Sequence, residues 1–541
     1  LMHRAYESGE DASALLPEGY WCILLDDGGN VSWSADMPDD IPRHYTLRDV
    51  AVLSRWFLCD YPVYTQAEDC GLFILGQPKN AVGKYQIVLS MSWFHSLPAR
   101  IALVLALNTA LALGLIYLFV ITPLSVPDEL THYLAISELT NGLFGMPDTA
   151  YALDPSGFSN QSNVCTGYLR VIRDLFGRGS DPNVIRSSLM SYMWTLVYPL
   201  EYAPQVLGFA ISRLLSFNDV TTFMMGRFFN LLFYVVCLYI SVKRVPRFKL
   251  LFGLSGILPM AMQQAASLSY DTFINALSMV LLSSLLREIF SEGALTLCDL
   301  LYIFIPALLL APAKGVYALF ILLFIFISKE RFTGKCGKTG CFWLLFASCA
   351  AAFIAVSAPS LLRIMHSTPP SYGDEGGESY TLRFFLTNPG DAFGIFKNSF
   401  NVYFSAWFAQ AVGQSLSTCL LELPTWIVPA FTALLILSAQ NIDGNELDMP
   451  RGMRPALLAL SAAVVLSFMA TMFLTWIHNT DKIIVGVQGR YFIPILPLLM
   501  LSLNNKIVVL RKNIDRGMTV LAILLSARTV LAILDFTMFN V

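Results

Sequence analysis

The sequence predicts a polytopic α-helical membrane protein, with about eleven or twelve apolar helices behind a small N-terminal α/β domain. Of its 541 residues, 55% are hydrophobic and only 13% are charged, against roughly 25% charged in soluble domains. A mean hydropathy of +0.59 over this length requires many segments in lipid, where a helix satisfies its own backbone hydrogen bonds. The chain has a net charge of −3 and no basic domain, so the sequence gives no indication of nucleic-acid binding.

Residues 1–98 differ from the rest of the chain. They contain the turn signal DDGGN at 26–30 and short β-like runs, CILL at 22–25 and GLFIL at 71–75. Such runs between turn residues are typical of strands in a small α/β domain. Residues 99–541 are dominated by apolar segments and form the predicted membrane domain.

The predicted spans are close to the roughly 20 residues that a bilayer requires. They are 100–121, 220–242, 250–269, 272–291, 298–312, 315–328, 341–363, 424–439, 455–475, 491–504 and 517–538. Segment 198–216 contains Glu201, Pro204, Gln205 and Arg213, and it suits a helix lying at the interface better than one crossing it.

Short basic loops predict the orientation of the spans. Loops 243–249, 329–340, 451–454 and 506–516 are rich in Lys and Arg. All four fall on one side if the spans alternate, and we assign that side to the cytoplasm. The other side then holds three larger external loops, 123–219, 364–423 and 476–490.

The first candidate site lies in the loop after the first span, ITPLSVPDELTHYLAISEL at 121–139. It places Asp128 and Glu129 close to the membrane, with His132 one helical turn later. Paired carboxylates there can supply a general base for an acceptor hydroxyl and can hold a divalent cation. The alternative is structural, because Pro127-Asp128-Glu129 is also a good helix start, and the local sequence favours neither.

Further candidates lie at the predicted external ends of the spans. Asp271 would share the face of Asp128, with a helix cap as the commoner alternative. Arg227, Lys314 and Arg490 are cations at or between span ends. They can neutralise a phosphate, or they can snorkel to the interface, which is the commoner fate. Arg490 follows a glycine in VQGRYFIP and is the strongest of the three.

Other potential metal ligands give weaker signals. The ten cysteines form no CxxC pair and no Cys/His cluster with zinc spacing, so we interpret them as structural. Asp374, Glu375 and Glu378 can complete a metal site, but a solvated acidic loop is the favoured interpretation.

Four stretches occur in order across about residues 101–541: VPDELTHYLAISELTNG, PMAMQQAASLSYDTFINALS, LAPAKGVYALF and GVQGRYFIPILPLL. Together they resemble successive blocks of a bacterial multi-pass family catalogued as domain of unknown function 2142. That family in turn resembles the GT-C glycosyltransferases of the protein mannosyltransferase and oligosaccharyltransferase type. The resemblance implies a GT-C-like fold in the bacterial cytoplasmic membrane and transfer of a sugar from a polyprenyl-phosphate donor to an envelope glycan or glycolipid.

The resemblance also implies roles for the candidate residues. Asp128 and Glu129 match the Asp-Glu motif of the first external loop, so Asp128 becomes the base and metal-side carboxylate and Glu129 supports it. The implied metal is a divalent cation, Mg²⁺ or Mn²⁺. The expected substrate-binding residues are His132, Arg227, Asp271, Lys314 and Arg490. Asp271 matches a later acidic position loosely, and the phosphate contact of Arg490 rests on its charge and position.

Residues 17–98 are similar to the extracytoplasmic segment of some sensor histidine kinases, although no kinase core follows. Two non-enzymatic functions therefore stand beside sugar transfer. One is a transporter or lipid-handling protein, in which buried charges such as Lys314 line a path, although the two halves show no convincing repeat. The other is an envelope sensor that detects a ligand through residues 17–98.

Overall fold

The computed structural model describes most of the chain and divides it into two compact units, residues 1–104 and 105–541. The described residues are Tyr6, Ser13, Leu16, 19–46, 57–58, 61–68, 70–78, 99–145, 149–152, 171–177, 185–188, 198–334, 336–366, 378–417, 421–442, 449–505, 509–510 and 515–539.

The N-terminal unit is built on a five-stranded sheet in the order β2-β1-β5-β4-β3, with antiparallel neighbours. Its strands are β1 (Trp21–Leu25), β2 (Val31–Ala35), β3 (Phe57–Leu58), β4 (Tyr61–Glu68) and β5 (Gly71–Gly76). The predicted runs at 22–25 and 71–75 are therefore central strands. The sheet of the predicted small N-terminal domain is confirmed, and Tyr6 before it is helical.

The turn between β1 and β2 follows from its sequence. The Asp26 carboxylate accepts hydrogen bonds from the backbone N–H groups of Gly28 (2.9 Å) and Asn30 (2.8 Å). Gly29 adopts a φ of 78°, a conformation that glycine reaches at little cost. The reversal lets β1 bury Trp21 and Ile23 in the core.

From residue 99 onward, the described chain is mainly helical. Its helices are α1 (Ala99–Val120), α2 (Glu129–Leu143), α3 (Ala203–Leu214), α4 (Asp219–Arg244), α5 (Lys249–Gly256), α6 (Pro259–Ala265), α7 (Asp271–Phe290), α8 (Leu297–Ala318), α9 (Gly337–His366), α10 (Leu382–Thr387), α11 (Pro389–Val412), α12 (Ile427–Ser438), α13 (Met453–Thr475), α14 (Leu496–Ser502) and α15 (Asp515–Phe539). Short 3₁₀ helices cover Pro199–Tyr202, Leu319–Phe326 and Gly489–Ile495, and short strand pairs connect some loops.

Six segments of the described chain are long and apolar enough to cross a membrane. They are Asp219–Arg244, Asp271–Phe290, Leu297–Phe326, Gly337–Ala358, Met453–Thr475 and Gly517–Thr537. The prediction of a polytopic helical membrane protein is confirmed. The single span predicted at 250–269 is instead two short helices, α5 and α6, because the chain leaves helical geometry at Leu258 before Pro259 starts a new helix.

The apolar segment Leu297–Phe326 doubles back on itself. Lys314 interrupts the helix with φ −148° and ψ 87°. The backbone N–H of Leu295 donates to the carbonyl oxygen of Arg331 at 2.9 Å, so the two ends of the segment are neighbours. The segment is therefore a hairpin with Lys314 at its tip, which matches the two spans predicted at 298–312 and 315–328.

Ionic contacts define two opposite ends of the helical unit. At the end we call the basic end, Glu288 pairs with Arg244 (3.2 Å) and Arg331 (2.7 Å). These arginines belong to the predicted basic loops 243–249 and 329–340, which thus lie together. At the other end of α7, which we call the long-loop end, Asp271 contacts Lys314.

Two helices lie within the regions predicted as external loops. Helix α3 has 12 residues, or about 18 Å at 1.5 Å per residue, and is too short to cross the roughly 30 Å hydrocarbon core. Helix α11 has 24 residues and exposes apolar side chains such as Phe393 and Phe404. The region 364–423 is thus more than a loop.

Candidate functional site

The loop between α1 and α2 presents Asp128 at the long-loop end. Asp128 occupies the residue before α2 in a left-handed conformation, with φ 63°, and its side chain makes no capping hydrogen bond. A left-handed aspartate is uncommon and costs some conformational energy. The Asp128 side chain therefore does not cap α2, and its carboxylate can contact groups other than the start of the helix.

Glu129 lies in a closed, buried ion pair. Its side chain and that of Arg227 are each 0% exposed. The Arg227 guanidinium donates to both carboxylate oxygens, at 2.8 and 2.7 Å. The backbone N–H groups of Leu124 (2.9 Å) and Leu268 (3.1 Å) donate to the same oxygens. Because both oxygens accept these hydrogen bonds, Glu129 fixes the loop to α4. Its expected catalytic and metal-binding role stays a prediction.

Arg227 is likewise buried and fully engaged. Besides Glu129, its guanidinium donates to the carbonyl oxygens of Ile121 and Thr122, the latter at 3.0 Å. It therefore anchors the end of α1 to α4. Every side of the guanidinium is buried, and its expected substrate-binding role stays a prediction.

Four of the candidate side chains form one chain of charges. The Lys314 ammonium lies 2.6 Å from Asp271 Oδ1, and Arg490 Nε lies 3.3 Å from Asp271 Oδ2. Arg490 Nη2 also contacts the Asp128 carboxylate, and its Nη1 donates to the Pro127 carbonyl oxygen. The chain of contacts joins the loop before α2, the start of α7, the hairpin tip and the 3₁₀ helix that holds Arg490.

Exposure separates these four groups. The Asp128 side chain is 54% exposed, whereas that of Arg490 is 5% exposed. Asp271 and Lys314 are also largely buried. The buried Arg490 Nε has the Asp271 carboxylate as its ionic partner at 3.3 Å. The site therefore offers one accessible carboxylate beside a guanidinium, and a guanidinium is suited to an anionic group.

Aromatic rings surround the Lys314 ammonium. Its Nζ lies 4.9 Å from the ring centre of Tyr270, 4.4 Å from that of Tyr491 and 5.7 Å from that of Phe468. Ring faces attract a cation within about 6 Å. These contacts hold the ammonium in place at the hairpin tip without neutralising its charge.

His132 is buried beneath the charges. Its Nδ1 lies 2.9 Å from the Tyr202 hydroxyl, and its ring meets Tyr270 edge-on at 5.0 Å. Burial, with a smaller contribution from the charge of Arg490, lowers the pKa of His132 to about 4. The imidazole is therefore neutral at neutral pH and 4% exposed. It contacts Tyr202 and Tyr270, and its expected substrate-binding role stays a prediction.

Sequence reasoning did not assign Glu201 to the site. It lies in the short helix before α3 and is 7% exposed. Burial raises the pKa of Glu201 from 4.5 to about 8, with Lys314 opposing this rise and Asp271 adding to it. A carboxyl group that stays protonated at neutral pH is a hydrogen-bond donor. The signal that could have identified Glu201 was a carboxylate within 198–216, the segment that suits a helix lying at the interface.

The glycine before Arg490 allows a close approach of two elements. A Cβ on Gly489 would lie 2.3 Å from the Trp407 carbonyl oxygen, well inside van der Waals contact. The Gly489 N–H donates to Gln410 Oε1 on α11 at 3.1 Å. The glycine thus sets the position of Arg490 against α11, which explains why the pair Gly489-Arg490 stands out in the sequence.

The described residues do not fit a divalent-cation site. Asp271 is paired with two cations, and both oxygens of Glu129 are already occupied. Among the residues that the structure describes, no group of three or more His, Cys, Asp or Glu side chains could hold a metal ion. Asp374 and Glu375 lie outside the described residues. Glu378 is described and exposed.

Comparison with known families identifies the chain. The profile of a family described as "Predicted membrane protein (DUF2142)" matches residues 180–499. The chain belongs to this family. The match includes Glu201, Asp271, Lys314 and Arg490 but not Asp128. Searches of curated proteins and of solved structures found no match, so the DUF2142 assignment establishes a membrane protein and leaves its activity to be inferred from the site.

Proposed function

We propose that this DUF2142 protein is a membrane glycosyltransferase that moves a sugar from a polyprenyl-phosphate donor to a hydroxyl of an envelope glycan or glycolipid. The observation that carries the proposal is the exposed Asp128 carboxylate beside Arg490, which Asp271 in turn joins to Lys314. A transfer of this kind needs a base for the acceptor and positive charge for the leaving phosphate, and both are present within one cluster.

Arg490 is the proposed phosphate-binding residue. Its Nη2 contacts the half-exposed Asp128 carboxylate, so a phosphate oxygen would take the place of that carboxylate. Phosphate oxygens suit the planar guanidinium, which can donate two parallel hydrogen bonds. Binding a phosphate would compete with Asp128 for Arg490 and would release the carboxylate. Lys314 supplies the second positive charge nearby.

Asp128 is the proposed general base in a single-displacement reaction. Its carboxylate takes the proton of the acceptor hydroxyl while the hydroxyl oxygen attacks the anomeric carbon. The bond from that carbon to the phosphate oxygen breaks, and its electron pair leaves with the polyprenyl phosphate beside Arg490 and Lys314. The configuration at the anomeric carbon is therefore inverted. A phosphate is already a good leaving group, so the step needs little general-acid assistance.

The basic end of the unit indicates on which side of the membrane the proposed reaction takes place. Cytoplasmic loops of membrane proteins carry an excess of Lys and Arg, and Arg244 and Arg331 meet at the basic end. The long-loop end then faces the other side, which in a bacterial cytoplasmic membrane is the compartment of envelope glycans. The donor, the acceptor and this location are parts of the proposal.

The test is the transfer activity of Asp128→Asn in the purified full chain, with polyprenyl-phosphate-linked sugars as donors. We expect a loss of about 10²- to 10⁴-fold, the usual contribution of a general base. The exposed Asp391 at the start of α11 provides the control, and Asp391→Asn should retain full activity. Equal activity of Asp128→Asn and the wild type would remove the proposed base.

A transport pathway is the second candidate function. Asn275 and Ser278 follow Asp271 by four and seven residues, so the three share one face of α7. Both are buried, and Asn275 Nδ2 and Ser278 Oγ have no hydrogen-bond partner within the described chain. Buried polar groups in a membrane helix often line a path. This column leads from the site into the bundle and favours transport over sensing.

A further inference from the structure

A groove separate from the charged site lies between α11 and α13. Its volume is about 760 Å³, within the range of lipid- and ligand-sized cavities. The walls are mainly phenylalanines of α10 and α11 on one side and apolar residues of α13 on the other: Phe385, Phe393, Phe396, Phe400, Leu466 and Met469. Such a lining accepts a hydrocarbon chain.

One positive charge lies within this apolar lining. Lys397 is the charged residue among those that line the groove, and Asn401 and Ser467 provide polar groups beside it. Lys397 and Asn401 are four residues apart on α11, so they face the same way. A ligand that fits both parts must combine a long apolar chain with an anionic, hydrogen-bonding head.

The depth of the groove matches that of a lipid headgroup. Phe468 of α13 stacks on Tyr491 at 4.9 Å and lies 5.7 Å from the Lys314 ammonium. Its neighbours Ser467 and Met469 line the groove. The groove therefore lies at the level of the charged site, at the long-loop end of the unit, rather than at mid-membrane.

The groove opens away from the charged site. Phe393 is 70% exposed and Leu466 is 51% exposed, although both are large and apolar. Phe468 is buried and packs on the site side of α13. In a membrane-spanning unit these exposed walls face lipid, so a bilayer lipid can enter sideways without passing the charged cluster.

We propose that this groove binds an anionic phospholipid of the surrounding bilayer, with one acyl chain between α11 and α13 and its phosphate beside Lys397. The occupant is a bilayer lipid rather than the polyprenyl donor because the groove shares no lining residue with the charged site and opens outward. The proposal does not depend on the glycosyltransferase activity, since it needs only the groove, its charge and the membrane.

Native mass spectrometry of the full chain in detergent tests the proposal, with phosphatidylglycerol and zwitterionic phosphatidylcholine as probes. We expect the wild type to retain phosphatidylglycerol preferentially. Lys397→Gln should bind it about five-fold more weakly, which corresponds to the usual contribution of one basic residue at an anionic membrane surface. The exposed Lys482 serves as the matched control, and Lys482→Gln should bind phosphatidylglycerol like the wild type.

A second variant tests the chain-binding part of the groove. Ala470→Trp should fill the cavity and reduce retention of both lipids, while its thermal unfolding confirms that it is folded. Equal binding of the two lipids by the wild type, or unchanged phosphatidylglycerol binding in Lys397→Gln, would overturn the proposal. Preferential retention of polyprenyl phosphate over phosphatidylglycerol would also overturn it, because the groove would then belong to the donor.

Discussion

The two ends of α7 each carry an ionic network, and the networks differ in how completely their partners enclose them. At the basic end, the Glu288 side chain is 1% exposed and both its oxygens contact arginines. At the long-loop end, the Asp128 side chain, which pairs with Arg490, is 54% exposed. Similar residue types thus build a closed structural network and an open site, and the difference lies in access to solvent.

The largest expected effect is on stability, from breaking the closed network. Glu288→Ala leaves the buried charges of Arg244 and Arg331 without their carboxylate and should lower the free energy of unfolding by about 3–5 kcal/mol. Asp128→Ala should cost about 1 kcal/mol or less, because its carboxylate is largely solvated. Apparent unfolding in detergent measures both. Similar losses in the two variants would show that the two networks do not differ in this way.

An intermediate effect distinguishes the two candidate functions. Ser278→Ala removes a buried hydroxyl that has no partner in the described chain, so the free energy of unfolding should stay level or rise by up to about 1 kcal/mol. Sugar transfer should be unchanged in Ser278→Ala if the reaction does not depend on the polar column of α7. Loss of function in a variant that is at least as stable as the wild type would favour transport through the polar column. Activity assays and unfolding on one preparation measure both quantities.

The sequence predicts the overall fold well because its signals are local. Apolar length predicts the membrane helices, and the break at Lys314 separates two predicted spans that the structure shows as a hairpin. Helix α11 escapes prediction because polar residues such as Lys397 and Asn401 interrupt its apolar surface. Its position becomes clear only from contacts with α13 and the 3₁₀ helix before α14.

The site is predicted less completely, because partner choice depends on distant residues. Asp128 and Glu129 are adjacent in sequence, yet Glu129 forms a buried ion pair with Arg227 while Asp128 stays exposed. No local pattern separates them, since the partner is 98 residues away. The structure does bring together three charged residues from separate parts of the chain, Asp271, Lys314 and Arg490. Glu201 lies near them, although its segment contains no motif.

The smallest expected effect is a change in pH dependence at Glu201. Folding raises the pKa of Glu201 from 4.5 to about 8. Between those pH values, the folded state therefore binds more protons than the unfolded state. Stability should therefore fall as pH rises through this window. His132 has the opposite effect, but only below about pH 6.5, because its pKa is lowered to about 4. Glu201→Gln keeps a neutral side chain of the same shape at every pH.

Unfolding temperatures at pH 6.5, 7.25 and 8 separate the two groups, since His132 contributes little there. The wild type should lose stability across this range, and Glu201→Gln should lose clearly less. Glu422→Gln, a change at an exposed carboxylate, should keep the wild-type slope. If Glu201→Gln also keeps that slope, Glu201 ionises normally. The open site would then hold a third charged carboxylate besides Asp128 and Asp271, and the net charge of the site would be less favourable for a phosphate than proposed.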